Sequence, residues 1–163
     1  MSQKYKMYSK AYLSLGSNLG DRKKNINVCL KHLKKITKIE KISSVIETKP
    51  YKVSIKQNNF LNLVLLIDYA NSPHKLLEEI DYIEKLMGRK RSNIINEPRI
   101  IDIDIITFEN IFIKDKNLEI PHPRYMERLF VLQPLSEIAP SFVDPATNKK
   151  ISELLINAQK TSN

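Results

Sequence analysis

The spacing of apolar residues changes period several times along this chain, and the changes mark its elements. Ala11 to Leu15 is a short apolar run bounded by turn residues, the pattern of a buried strand. Gly16-Ser17-Asn18-Leu19-Gly20 breaks it and predicts a turn. Asp21 then stands as N-cap for a helix in which Ile26, Cys29, Leu30, Leu33 and Ile36 recur at helical spacing. Ile42 to Thr48 predicts a strand and Lys49 to Asn59 a polar loop around Pro50. Phe60 to Tyr69 predicts a long strand, with Asn62 its clearest polar interruption. Ser72-Pro73 is an N-cap followed by a proline at the first helical position. Leu76, Leu77, Ile80, Ile83, Leu86 and Met87 carry that helix to Gly88, which supplies its stop. Arg89 to Glu97 predicts a basic loop. Ile100 to Phe108 predicts a strand, hairpinned to Ile111–Ile113 through Glu109-Asn110. From Pro121 onward, proline-bounded segments alternate with short helical patterns, ending in a helix around Ile151 to Ala158.

The order β-α-β-β-α-β followed by further elements predicts an α+β fold. Its architecture would be a ferredoxin-like split βαβ sandwich, with a mostly antiparallel sheet, helices on a face and extra C-terminal elements. A chain of 163 residues without repeats, low-complexity tracts or long linkers predicts one domain spanning 1–163. The single cysteine, Cys29, rules out an internal disulfide and falls on the apolar stripe of the first helix, as a small core residue. Met1 to Ala11 is polar and basic with no apolar segment behind it, and the longest apolar run, Leu63 to Ile67, is far too short to span a bilayer. The expectation is a soluble, cytoplasmic monomer with no membrane association.

The formal net charge of +9 admits nucleic acid, anionic lipid or a polyanionic small molecule as partner. Distribution narrows the choice. The 21 lysines are scattered, with a solvated group at Lys31, Lys34, Lys35, Lys38 and Lys41. The six arginines are not: Arg89, Arg91 and Arg99 flank the loop before the last long strand, and Arg128 follows a short histidine-containing segment. In a chain that otherwise uses lysine, this points to a need for the planar guanidinium, which grips phosphate bidentately.

The strand behind Arg99 carries the most informative pair. An extended chain throws alternate side chains to opposite faces, so Asp102 and Asp104 share one face while Ile101, Ile103 and Ile105 share the other. The aspartates sit roughly 6–7 Å apart at the backbone. As bare carboxylates they would repel by about 2 kcal/mol at an effective dielectric near 20. A divalent cation between them reverses that sign. Hard oxygen ligands on a rigid strand suit Mg²⁺, with phosphate oxygens completing its octahedron.

Four blocks, in order, resemble one family. They are Leu15-Gly16-Ser17-Asn18-Leu19-Gly20-Asp21-Arg22; Phe60-Leu61-Asn62; Gly88-Arg89-Lys90-Arg91 leading into Pro98-Arg99-Ile100-Ile101-Asp102-Ile103-Asp104; and Ile120-Pro121-His122-Pro123 followed by Arg128, Phe130 and Pro134-Leu135. Together they resemble the hydroxymethyl-dihydropterin pyrophosphokinases of folate synthesis, over nearly the whole chain. The resemblance implies transfer of the β,γ-diphosphoryl unit of ATP to the hydroxymethyl group of a reduced pterin, giving AMP, with two Mg²⁺ ions. By similarity, Asp102 and Asp104 hold both metals and one of them orients the attacking hydroxyl. Arg89 and Arg99 neutralise the transferring phosphates, with Arg91 an auxiliary contact. His122 and Arg128 bind the nucleotide's phosphates and ribose region, and Glu84 approaches the ribose. Phe60 and Phe130 match the stacking pair for the pterin, Asn62 meets its edge, and Thr48 and the backbone around Tyr51 add contacts. His32 and His74 carry no role.

One segment departs from the family pattern. Members often carry a further arginine and an aromatic-Gly pair where this chain has Ile95-Asn96-Glu97. That removes a phosphate contact and an aromatic lid, and implies a lid that closes differently. The competing reading is an RNA-binding module, since ferredoxin-like sheets with basic loops bind RNA. This chain lacks the aromatic-rich signature of such modules, and its best strand carries two acids. The expectation is therefore small-molecule substrates and no nucleic acid.

Overall fold

The computed structural model describes residues 7–50, 56–90 and 92–162. The first unit is β1 (Ser9–Ser17) followed by α1 (Arg22–Ile36), whose N-cap Asp21 accepts a hydrogen bond from the Lys24 N–H. Next come β2 (Lys38–Ile42), β3 (Ile46–Thr48) and β4 (Phe60–Tyr69). α2 (Pro73–Leu86) is capped by Ser72, whose hydroxyl accepts from the Lys75 N–H, and leads to β5 (Asp102–Phe108). The sheet runs β2-β4-β1-β5, with β3 also paired to β4, and every pairing is antiparallel. This is the strand order of a split βαβ sheet, and the α+β expectation holds.

Two local expectations are corrected. Ile42–Thr48 is not one strand: β2 starts earlier and ends at Ile42, and β3 starts at Ile46. Ser43 explains the break, because its hydroxyl takes the Val64 N–H at 2.9 Å in place of a backbone carbonyl and so interrupts the ladder. Nor does Ile111–Ile113 pair back onto β5. A turn closes at Phe108–Ile111, and β6 (Ile113–Lys114) pairs instead with β7 (Glu119–Ile120). Asp115 sets that second turn by accepting from the N–H groups of Asn117 and Leu118.

The two faces of the sheet are covered differently. Leu13, Leu15, Leu63, Leu65, Ile103 and Ile105 pack against Ile26, Cys29 and Leu33 of α1 and Leu76, Ile80 and Ile83 of α2. Each such fully buried side chain contributes roughly 1.5–3 kcal/mol. The opposite face receives the C-terminal layer: a 3-10 turn (Tyr125–Glu127), α3 (Leu129–Ile138) and α4 (Ile151–Thr161). Tyr125, Val131, Leu132, Leu135, Ile151 and Leu154 close over Tyr12, Val64, Leu66 and Ile106. Fully buried Tyr125 donates its phenol proton to fully buried Asp144, which also accepts from the Thr147 N–H at 2.7 Å and hydroxyl at 2.8 Å. That bond ties the 3-10 turn to the segment before α4.

The β1–β5 ladder slips once. Tyr12 faces Thr107 and Leu13 faces Ile105, so Ile106 has no partner on β1. The bulge shifts the alternation: Ile106 joins the C-terminal layer, while Phe108 turns to the α1/α2 side. The C-terminal layer stops short of the other end of β1, β4 and β5, and a cleft opens there.

Candidate active site

β5 delivers both aspartates to the open part of the sheet, Asp102 opposite Gly16 and Asp104 opposite Ser14. They are not bare. Asp102 accepts from Arg89 Nη1 at 3.0 Å and from Arg99 Nη1 at 2.6 Å. Arg128 Nη1 stands farther from Asp104, at 3.7 Å. The repulsion expected from the spacing alone is therefore offset at Asp102 by two guanidinium groups. At Asp104, burial in the cleft and then the neighbouring Asp102 charge push the carboxyl well above the usual range, with Arg128 opposing.

Glu84, on the last turn of α2, is buried beneath this group. Its carboxylate accepts from Arg89 and, at 3.2 Å, from the Ile103 N–H. Burial pushes it up to about 7, against the pull of Arg89. Arg89 is pushed down by burial but held above its ordinary value by Asp102 and Glu84. Arg89 and Glu84 also line a second groove with Asp81 and Lys85, so Arg89 stands between that groove and the cleft.

The aromatic half lies across the cleft. Phe60 and Asn62 leave β4 on the same side, and Asn62 Nδ2 donates to Thr48 Oγ1 of β3 at 2.5 Å. A β-carbon on Gly16 would come within 2.8 Å of Asn62 Oδ1 and 3.3 Å of Phe60, so only glycine leaves this floor its shape. Phe130, on the first turn of α3, completes the wall, with the Arg128 guanidinium 5.5 Å from its ring centroid. The cleft thus gathers Thr48, Phe60, Asn62, Arg99, Asp102, Asp104, Arg128 and Phe130.

His122 does not line the cleft but feels it. Burial and then the Arg128 charge lower it to about 4. Its Nδ1 accepts the Arg124 N–H at 3.1 Å, which leaves the proton of the neutral ring on Nε2 as a donor. Tyr51 and Arg91 lie outside the described residues.

The HPPK family model, described as 7,8-dihydro-6-hydroxymethylpterin-pyrophosphokinase, matches residues 12–140. The chain belongs to the HPPK family. Membership places it among the pyrophosphokinases of folate biosynthesis. It is 41% identical over 142 residues to the 2-amino-4-hydroxy-6-hydroxymethyldihydropteridine pyrophosphokinase of Aquifex aeolicus, covering 87% of this chain and 88% of that one. It is 39% identical to the enzyme of the same name from Bacillus subtilis, covering 88% and 86%. It is also 41% identical to the folic acid synthesis protein FOL1 of Dictyostelium discoideum, of which it spans only 23%. The wild-type Plasmodium falciparum HPPK-DHPS structure superposes with a TM-score of 0.76 at 19% identity, over 95% of this chain and 45% of that one, and so shares the fold.

Two cleft residues, Ser14 and Lys49, were given no role by the sequence. Ser14 forms the floor with Gly16 of the first family block, and Lys49 forms the rim with Asn96 and Glu97 of the segment that departs from the family pattern. Alternation along β1 puts Ser14 and Gly16 on one face, but that this face meets Asp102 and Asp104 depends on a register set by residues far apart in the chain.

Proposed function

We propose that this chain, acting as one unit, transfers the β,γ-diphosphoryl group of ATP to the hydroxymethyl group of 6-hydroxymethyl-7,8-dihydropterin, releasing AMP and the pterin diphosphate. The single observation that carries the reading is one cleft with two aspartates and two arginines on one side and an aromatic pair with a fixed amide on the other. Phe60 and Phe130 sandwich the flat pterin, and Asn62 donates and accepts along its edge, held by Thr48. The Tyr51 backbone adds a contact by family likeness.

The triphosphate lies along the guanidinium side, its β and γ groups against Arg99 and Arg89 and its nucleoside toward the groove beside Glu84. Glu84 fixes Arg89 by accepting its hydrogen bond. Arg128 and the Nε2–H of His122 complete the phosphate and ribose contacts, with Arg91 auxiliary. The hydroxyl oxygen attacks the β-phosphorus in line and gives up its proton to solvent, and the bond from that phosphorus to the α,β-bridging oxygen breaks, so AMP leaves with that oxygen. Asp104 orients the hydroxyl.

Among the described residues no three His, Cys, Asp or Glu side chains are grouped to cage a metal. The donor set fits Mg²⁺ all the same: two hard carboxylates on a rigid strand, open to a cleft that would bring phosphate oxygens. Asp102 and Asp104 would hold two such ions, which supply charge neutralisation on both sides of the displacement. Incubation with ATP, Mg²⁺ and the pterin should release AMP in proportion to pterin diphosphate. ADP as the nucleotide product, or no product, would refute the reading.

A further inference from the structure

Three serines are buried among the described residues: Ser14, Ser17 and Ser43. Two of them have protein partners. Ser17 Oγ accepts from Asn25 Nδ2 at 3.3 Å. Ser43 Oγ accepts the Val64 N–H at 2.9 Å and donates to the Ser44 carbonyl at 2.9 Å. Ser14 is 5% exposed, and its hydroxyl has no hydrogen-bond partner among the described residues. Yet none of their buried side-chain polar atoms is both sealed off and unpaired. The Ser14 hydroxyl therefore reaches the cleft that its residue lines. A hydroxyl that meets no protein group adds nothing to the packing of β1. Alanine would fill the same position between Val64 and Asp104 without desolvating an oxygen.

The neighbours of Ser14 indicate what that hydroxyl meets. Ser14 lies directly across from Asp104 on β5. Opposed residues of an antiparallel pair hold their Cβ atoms about 4.5–5.5 Å apart, so one ligand oxygen can touch both side chains. Gly16, next along the same face, has no side chain, so Ser14 supplies the only β1 side chain on the cleft floor. Asp102 is held by Arg89 and Arg99, whereas the ion pair of Asp104 is looser, at 3.7 Å from Arg128. We propose that Ser14 is a further substrate-binding residue, whose hydroxyl holds the hydroxymethyl oxygen of the pterin together with Asp104. A carboxylate only accepts, so the single proton of the pterin's hydroxyl points to Asp104. Ser14 then donates to one lone pair of that oxygen and leaves the other facing the β-phosphorus. Two contacts fix the oxygen before it attacks, and no proton passes to Ser14. The inference rests on the two-substrate reading above and adds to it a side chain that recognises the pterin's arm rather than its ring.

The test compares 6-hydroxymethyl-7,8-dihydropterin with 6-methyl-7,8-dihydropterin, which lacks only the hydroxyl. Binding of each is measured by calorimetry with Mg²⁺ and saturating α,β-methylene-ATP. Wild type should favour the hydroxymethyl compound. Ser14→Ala should weaken that compound about three- to tenfold, the worth of one hydrogen bond, and leave the methyl compound within about twofold of wild type. Its kcat/KM for the pterin should fall by at least the same factor. Its Kd for the nucleotide analogue should be unchanged, and its melting temperature equal to wild type or higher. Equal weakening of both compounds overturns the proposal, because the hydroxyl would then shape the pocket without touching the arm. So does a Ser14→Ala protein that binds both as wild type does, or one that melts well below it. A wild type that binds the two compounds equally also overturns it. Each of these outcomes leaves the two-substrate reading standing. Failure of wild type to bind either compound defeats both.

Discussion

Asp102 and Asp104 differ by one turn of the pleat and by their surroundings. Asp102 is held by two guanidinium groups, whereas Asp104 has one at 3.7 Å and a raised carboxyl. Their substitution should separate stability from turnover. Both Asp102→Ala and Asp104→Asn are expected to abolish AMP release. Without metal or nucleotide, Asp102→Ala should lower stability by about 1–2 kcal/mol, because Arg89 and Arg99 lose a shared acceptor. Asp104→Asn should leave the melting temperature equal or higher, since it removes a charge the fold disfavours. His122 supplies a pH dependence. Its value near 4 in the folded protein lies below the ordinary 6.5, so between those limits the unfolded chain takes up a proton the folded chain refuses. Its contribution is complete above pH 6.5 and shrinks as pH falls toward 4. Urea unfolding at pH 7 and pH 4.5 should show His122→Asn less sensitive to acid than wild type, by about 2 kcal/mol once solvent screening of a half-buried ring is allowed for.

At the scale of elements, what the sequence revealed depended on how local the cause was. β4 runs from Phe60 to Tyr69 as its long apolar run between polar flanks implies, and both long helices begin at the caps Asp21 and Ser72. Those signals lie within a few residues of what they specify. The break between β2 and β3 turns on a hydroxyl of Ser43 meeting Val64, 21 residues on, and no local pattern carries it. The β6–β7 pairing likewise depends on the turn at Asp115, which follows the Glu109-Asn110 turn and sets Ile113 against Ile120 rather than against β5. At the site, the Asp-x-Asp face was legible from alternation, while the Arg89–Glu84 contact and the hydrogen bonds between Asn18 and Arg99 needed the third dimension. The Tyr125–Asp144 bond is of the same kind. Tyr125→Phe should cost about 2 kcal/mol by leaving a buried carboxylate short of a donor, measured by denaturant unfolding. Pterin and nucleotide affinities should hardly move, because the bond lies in the layer behind the cleft wall.

For the whole molecule, the cleft is what remains when two helices cover one face of a sheet and a shorter C-terminal layer covers part of the other. Among the described residues no helix is long and apolar enough to cross a membrane. The central strand β1 is paired on both edges, so its turn at Gly16–Gly20 is held between the aromatic and acidic halves of the cleft. The slip opposite Tyr12 gives β5 one spare link. Deleting Ile106 would close the ladder into an unbroken series, with Asp104 still across from Ser14 and Phe108 still across from Ala11. That shortened protein should fold cooperatively at a loss of about 2–5 kcal/mol for the missing core side chain, and still bind the nucleotide analogue. Deleting Ile103 instead would rotate Asp102 into the oily interior, and should yield no folded protein on thermal melting. Only at that one joint can the acidic strand give up a residue and keep its teeth pointing the right way.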